Sequence, residues 1–359
     1  MNNSSNNSDL VLESPLGMVR YFYWIHGIIS IFSFFGNAII IIVMNNKRNK
    51  GNGTSIMFTA LAISDVMITV FGPFRNWFKV LYGHDLFAGN KYEDPLKHIT
   101  QDSFIEVSTW ILVLLSLERM TCVAFPLYVK RCCTSKAVLA AIIFIYVFFP
   151  IINTLYVFLA FDIELNPDYY GADSKLYEMY PKDNLPNAFE IYDIYEFVSK
   201  IGFPVRFIIP SNVVIVRVLL RHRSTQRIKA LRTLAIRTVI ICVVFVVTMV
   251  PRQVYKVFLR SIVAPHDDTY YPWDEIIYET CNLLETLNAA LNFYVYVLSG
   301  TRFRGDVKAL FERPFMFIIR RLKMVRKINS ESVTTLSLKT LSSTLTGSLE
   351  AMTKQKTQC

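Results

Sequence analysis

The sequence predicts an all-α membrane protein: a seven-transmembrane helix bundle followed by a short amphipathic eighth helix. Three observations predict it. The chain of 359 residues is 53% hydrophobic and 18% charged, whereas soluble domains carry roughly 25% charged residues. Its apolar residues gather into runs close to the roughly 20 residues that cross a bilayer. Its basic residues fall between those runs rather than on one face of a domain, as a membrane topology requires. The net charge of +10 therefore points to no nucleic acid, and the expected surroundings are a lipid bilayer. The six cysteines form no CxxC pair and no zinc spacing, so neither a zinc centre nor a disulfide framework is expected.

The apolar runs are roughly Tyr21–Met44, Ile56–Val80, Ile99–Val123, Ala137–Phe161, Val198–Leu220, Thr233–Phe258 and Glu275–Leu298. In lipid the backbone must hydrogen-bond within each segment, so all seven are read as helices. Pro73, Pro150, Pro204, Pro210 and Pro251 do not oppose this, because neighbouring helices can satisfy the carbonyls they free.

The connections set the orientation. Lys47, Arg48 and Lys50 follow the first run, and Lys130, Arg131 and Lys136 follow the third. Arg217, Arg221, Arg223, Arg227, Lys229, Arg232 and Arg237 surround the fifth-to-sixth connection. The opposite connections are acidic, with nine Asp and Glu residues from Asp162 to Glu196 and then Asp267, Asp268 and Asp274. The positive-inside rule makes the basic face cytosolic. The N-terminus then lies outside, where Asn2, Asn3 and Asn6 open glycosylation sequons. No apolar region begins before about Tyr21, so no cleavable leader is expected and the first helix would anchor the chain. The expected organisation is an extracellular glycosylated tail over 1–20, the bundle over 21–299, an interfacial helix over 300–315 and a disordered Ser/Thr-rich cytoplasmic tail over 316–359. Phe303, Val307, Leu310 and Phe311 share one face of that eighth helix at helical spacing.

Ionisable residues in the middle of a membrane cost roughly 2.5–3.5 kcal/mol each, so those present need partners or a task. Asp65 lies mid-helix, and Asn37, Ser108, Asn288 and Asn292 can converge on it. One carboxylate with neutral oxygens suits Na+ or a water network; an Asp held by hydrogen bonds alone fits equally. Nearer the outer face lie Arg75, Lys79, Asp102, Glu106, Arg206, Arg252 with Gln253 beside it, and Glu285. These charges can neutralise one another as structure. They can also line a pocket in which a charged ligand completes the pairing, with the acidic loops concentrating cationic ligands. Glu118 and Arg119 close the third apolar run. The plain reading is an arginine snorkelling at a helix end; the sharper one is a switch, held by its neighbour in one state and released to a partner in another.

These residues carry a resemblance. Gly36-Asn37, Leu61-Ala62-x-Ser64-Asp65, Glu118-Arg119 with Pro126-Leu127, Pro210, Phe245 with Pro251, and Asn288-x-x-x-Asn292-x-x-x-Tyr296 before Phe303-Arg304 stand in the order and spacing of rhodopsin-like (class A) G-protein-coupled receptors. The texture of Ser116–Lys130 resembles the invertebrate FMRFamide-receptor-like and molluscan chemosensory-receptor-like branch. The resemblance implies a receptor for an extracellular peptide, small molecule or chemosensory cue that activates a heterotrimeric G protein, with arrestin and a receptor kinase acting on the tail. It implies Arg119 as the switch restrained by Glu118, Pro251 as the hinge of the sixth helix, Phe245, Asn292 and Tyr296 as moving parts, and Asp65, Ser108 and Asn288 as a sodium-linked core. The chain departs from the family at Met120, Met249, Phe293, Tyr146 and Val218. The cysteine atop the third helix and its loop partner are also missing, which leaves the Phe161–Phe197 loop unpinned.

Other functions fit less well. Helix seven holds no lysine for a retinal Schiff base, which excludes an opsin. A transporter using intramembrane carboxylates is the alternative, opposed by seven unrepeated spans. No metal constellation or Ser/Lys dyad supports an intramembrane enzyme, and no cofactor is expected.

Overall fold

The computed structural model describes residues 15–83, 91–125, 127–128, 133–165, 177–221, 226–259, 272–299 and 303–312. The sequons at Asn2, Asn3 and Asn6 and the tail beyond residue 312 lie outside the described residues.

Helix α1 is Pro15–Met44, beginning six residues before the apolar run does. Helix α2 opens at Asn52, whose side chain accepts the Thr54 N–H, and runs from Gly53–Thr69 through a π turn, Val70–Phe74, into Arg75–Tyr82. Gly83, with φ 72°, closes it in the left-handed region that favours glycine. Helix α3 comprises Glu93–Lys97, a π turn His98–Asp102, and Ser103–Ala124. Helix α4, Ser135–Ala160, is capped by Thr134.

The strands β1, Phe161–Leu165, and β2, Tyr177–Pro181, then pair antiparallel with Ile163 opposite Met179. Helix α5 joins Ala188–Phe197, a π turn Val198–Gly202, and Phe203–Arg221. Helix α6 is Gln226–Val254 plus a π turn Tyr255–Leu259. Helix α7 is Pro272–Ser299, and α8 covers 303–312.

Two expectations need correction here. The Phe161–Phe197 segment is not a loose loop where it is described: it forms a hairpin, and helix α5 starts at Ala188. Apolar contact explains the order, since Phe161 and Met179 pack with Val157, Ala160 and Ala188. The Tyr156 hydroxyl also donates to the Ala188 carbonyl at 2.6 Å.

Among the described residues, α1 to α6 each contain a stretch long and apolar enough to cross a membrane. Helix α7 is less apolar, because its first half carries Asp274, Glu275, Glu279 and Glu285. Its 28 residues still span about 42 Å at 1.5 Å per residue. Helix α3 packs against α2, α4, α5 and α6, and α7 against α1 and α6. Gly36 allows the close approach of α1 to α7, where a Cβ would stand 2.8 Å from the Phe293 Cβ. The lipid-facing sides stay apolar and exposed, as at Phe144, Val147, Ile151 and Leu159 of α4. We call the end bearing β1 and β2 the hairpin end, and the opposite one the basic end.

Candidate functional site

At the hairpin end the buried charges meet across helices. Lys200 of α5, wholly buried, lies 2.8 Å from Asp102 Oδ1 of α3 and also pairs with Glu196 one turn back. Lys256 of α6 lies 2.5 Å from Glu196 Oε2 and 2.7 Å from Asp193 Oδ1. One turn earlier on α6, Arg252 Nε stands 3.1 Å from Glu285 Oε2 and donates to Asn282 Oδ1 at 2.8 Å. Its guanidinium carbon also lies 5.9 Å from the centre of the Tyr278 ring. Glu106 is held by neutral donors: Ser199 Oγ at 2.5 Å and Asn153 Nδ2 at 2.7 Å. Tyr192 OH donates to Asp102 Oδ2 at 3.1 Å.

Among the described residues, three of the four π turns feed this site. A π turn inserts one extra residue and rotates the next stretch of chain about the helix axis, and such turns recur at functional sites. The turns end at Asp102 in α3, enclose Lys200 in α5 and enclose Lys256 in α6. Buried charges are tolerable only when paired, and here each ammonium bridges two carboxylates.

Of the residues expected here, Asp102, Glu106, Arg252 and Glu285 enter the network. Gln253 is buried beside Arg252, and neither of its amide atoms has a hydrogen-bond partner among the described residues. Arg75 is buried on α2 past its π turn. Arg206 is a correction: it is exposed on the face of α5 that carries Phe203 and Phe207. The earlier start and the π turn of α5 give the inward places to Glu196 and Lys200 instead. Sequence reasoning missed both, although Glu196 and Lys200 stand at i, i+4, the spacing of a helical ion pair. It also missed His26, which bonds Thr286 Oγ1 at 2.9 Å and faces Glu279 Oε2 at 3.5 Å, tying α1 to α7.

In the middle of the bundle, Asp65 is fully buried and accepts from Ser108 Oγ at 3.1 Å and Asn292 Nδ2 at 2.7 Å. Asn288 turns to α6 and accepts from Thr248 Oγ1 at 3.3 Å. Asn37 donates to the carbonyls of Ser33 and Ala289, each at 3.0 Å. Each Asp65 oxygen accepts one hydrogen bond and keeps a further lone pair, while Asn288 is engaged by α6. Ser64 Oγ and Tyr146 OH meet at 2.7 Å, joining α2 to α4.

At the basic end, Arg119 Nε lies 2.7 Å from Glu118 Oε2, and Nη2 donates to Glu118 Oε1 at 3.2 Å and to Thr54 Oγ1 of α2. Arg237 of α6 is buried and stands 5.3 Å over the Tyr296 ring of α7. Phe58 meets the same ring edge-on at 4.7 Å. Phe245 is fully buried on α6. Pro251 lies inside α6 just before its π turn, where the Val247 carbonyl loses its backbone donor.

The model of the rhodopsin family of seven-transmembrane receptors matches residues 36–296 of the chain. The chain belongs to that family. Membership makes it a multi-pass membrane receptor of the seven-transmembrane kind, not an enzyme. Among curated proteins the receptor is similar to neuropeptide receptor 22 of Caenorhabditis elegans, 26% identical over 103 residues. That match covers 28% of this chain and 24% of the worm protein.

Proposed function

We propose that this receptor binds an extracellular peptide, in neuropeptide fashion, at its hairpin end and activates a heterotrimeric G protein at its basic end. The observation that carries the reading is the hairpin-end network, where charges from α3, α5, α6 and α7 converge under the acidic hairpin. The similarity to a neuropeptide receptor supports the peptide. In this reading the chain lies in the plasma membrane with the hairpin end outside, and arrestin and a receptor kinase act on its tail.

The mechanism is a shift of population. A ligand that binds the open state better than the closed one supplies only that difference in affinity. In the closed state Arg119 is occupied by Glu118 and Thr54. Movement of α6 about Pro251 exposes Arg119 to the C-terminus of a Gα subunit, while Asn292 and Tyr296 of α7 move with it. Arg252→Ala and Glu285→Ala each shift the agonist response to higher concentration with normal surface expression, measured as nucleotide exchange on purified Gα. Retention of both variants inside the cell would make these charges structural. Flux of a solute across proteoliposomes without any effect on Gα would favour a transporter.

A further inference from the structure

We propose that the ligand carries a positive charge, and that this charge acts by taking the place of Lys256 against Asp193 and Glu196. The inference rests on the receptor reading above and names the chemistry of its ligand.

Geometry sets out the path. Asp102, Lys200, Glu196, Lys256 and Asp193 form one continuous chain of alternating charges from α3 through α5 to α6 and back. Its middle is sealed, the side chains of Lys200 and Glu196 being 0% and 1% exposed, and at the α3 end Asp102 is 9% exposed with His98 3.4 Å away. Its outer end is open, with Lys256 at 13% and Asp193 at 26%. A group arriving from solvent therefore meets the Lys256–Asp193 pair first.

Charge sets the sign. The network holds the carboxylates of Asp102, Glu106, Asp193, Glu196 and Glu285 against the cations Lys200, Lys256 and Arg252. The hairpin end adds Asp162, Glu164, Asp183 and Glu190; Lys182 offsets Asp162 and His98 stands beside Asp102, and the acids still outnumber the bases. An incoming anion deepens this excess; an incoming cation reduces it.

Exchange is feasible where insertion is not. The two carboxylates keep a cationic partner throughout, so no buried charge is stranded. The displaced ammonium sits on a long flexible stem at the open end and can turn to water. The consequence falls on α6. Both partners of Lys256 belong to α5, so the swap removes its tie between the two helices. Lys256 lies in the π turn just past Pro251, where the helix is already irregular and yields most readily.

The test uses the full-length receptor in nanodiscs with a purified heterotrimeric G protein. Lys256→Met raises ligand-independent nucleotide exchange roughly fivefold or more, the lower range of coupling between sites. Lys256→Gln serves if the methionine variant does not reach the membrane. Nα-acetyl-arginine amide raises exchange by the unmodified receptor, whereas Nα-acetyl-citrulline amide, which lacks both the α-ammonium and the guanidinium charge and is close in shape, does not. Asp193→Asn blunts the Nα-acetyl-arginine amide response. Unchanged basal exchange in both Lys256 variants, or equal effects of the two amides (none included), overturns the proposal. Basal exchange that disappears in Arg119→Ala checks the receptor reading separately, so the two can fail independently.

Discussion

The two ends of the bundle hold their charges in opposite ways. At the hairpin end, among the described residues, every buried lysine or arginine ion pair but Lys200–Glu196 crosses from one helix to another, through helices broken by π turns. At the basic end Arg119 is paired with its own neighbour on a regular helix, and α6 is tied to α7 through the face of a ring. A pair that crosses helices changes whenever a helix moves. A pair within one helix survives movement and must be broken by a partner. The first arrangement suits sensing and the second suits a switch that waits for one.

The comparison can be broken by mutation. Lys200→Met strands Asp102 and leaves Glu196 to Lys256 alone, and removing one member of a buried pair costs about 3–5 kcal/mol. A large drop in the thermal midpoint of the purified receptor is expected, partly recovered by adding Asp102→Asn. An unchanged midpoint would show that the hairpin-end pairs do not hold the helices. Arg237→Met removes a desolvated cation–π contact worth about 2 kcal/mol. Its expected signature is a rise in ligand-independent nucleotide exchange, because it loosens the basic end of α6; a stability loss with no rise would make the contact merely structural. Tyr146→Phe deletes a hydroxyl bonded to Ser64 and to the Ala60 carbonyl. It should cost about 1 kcal/mol in denaturant titrations and leave exchange untouched, since this hydroxyl ties α4 to α2 and touches neither Arg119 nor α6.

Much of this was readable in the residues. Hydropathy locates the spans because lipid forces each apolar run to close its own hydrogen bonds. Asp65 with Ser108 and Asn292, Arg119 with Glu118, and Arg252 with Glu285 all meet as their types and positions suggest. What could not be read is rotational. Nothing in the residues around Asp102 or Lys200 marks an inserted π residue, yet that insertion decides which side chain faces inward. Arg206 was expected inward for that reason and faces out. The start of α5 was hidden because Ala188–Phe197 is rich in acids and aromatics, a texture shared with loops. The hairpin depends on Phe161 meeting Met179, a contact between residues 18 apart in number that no local pattern announces.

The central claim is that an arginine held at the basic end answers to the charges at the hairpin end. Agonist-driven nucleotide exchange on a purified heterotrimer, compared between the unmodified receptor and Arg119→Ala, tests it most directly. The account predicts that the variant binds ligand and no longer drives exchange. Exchange at the unmodified rate in Arg119→Ala would contradict it.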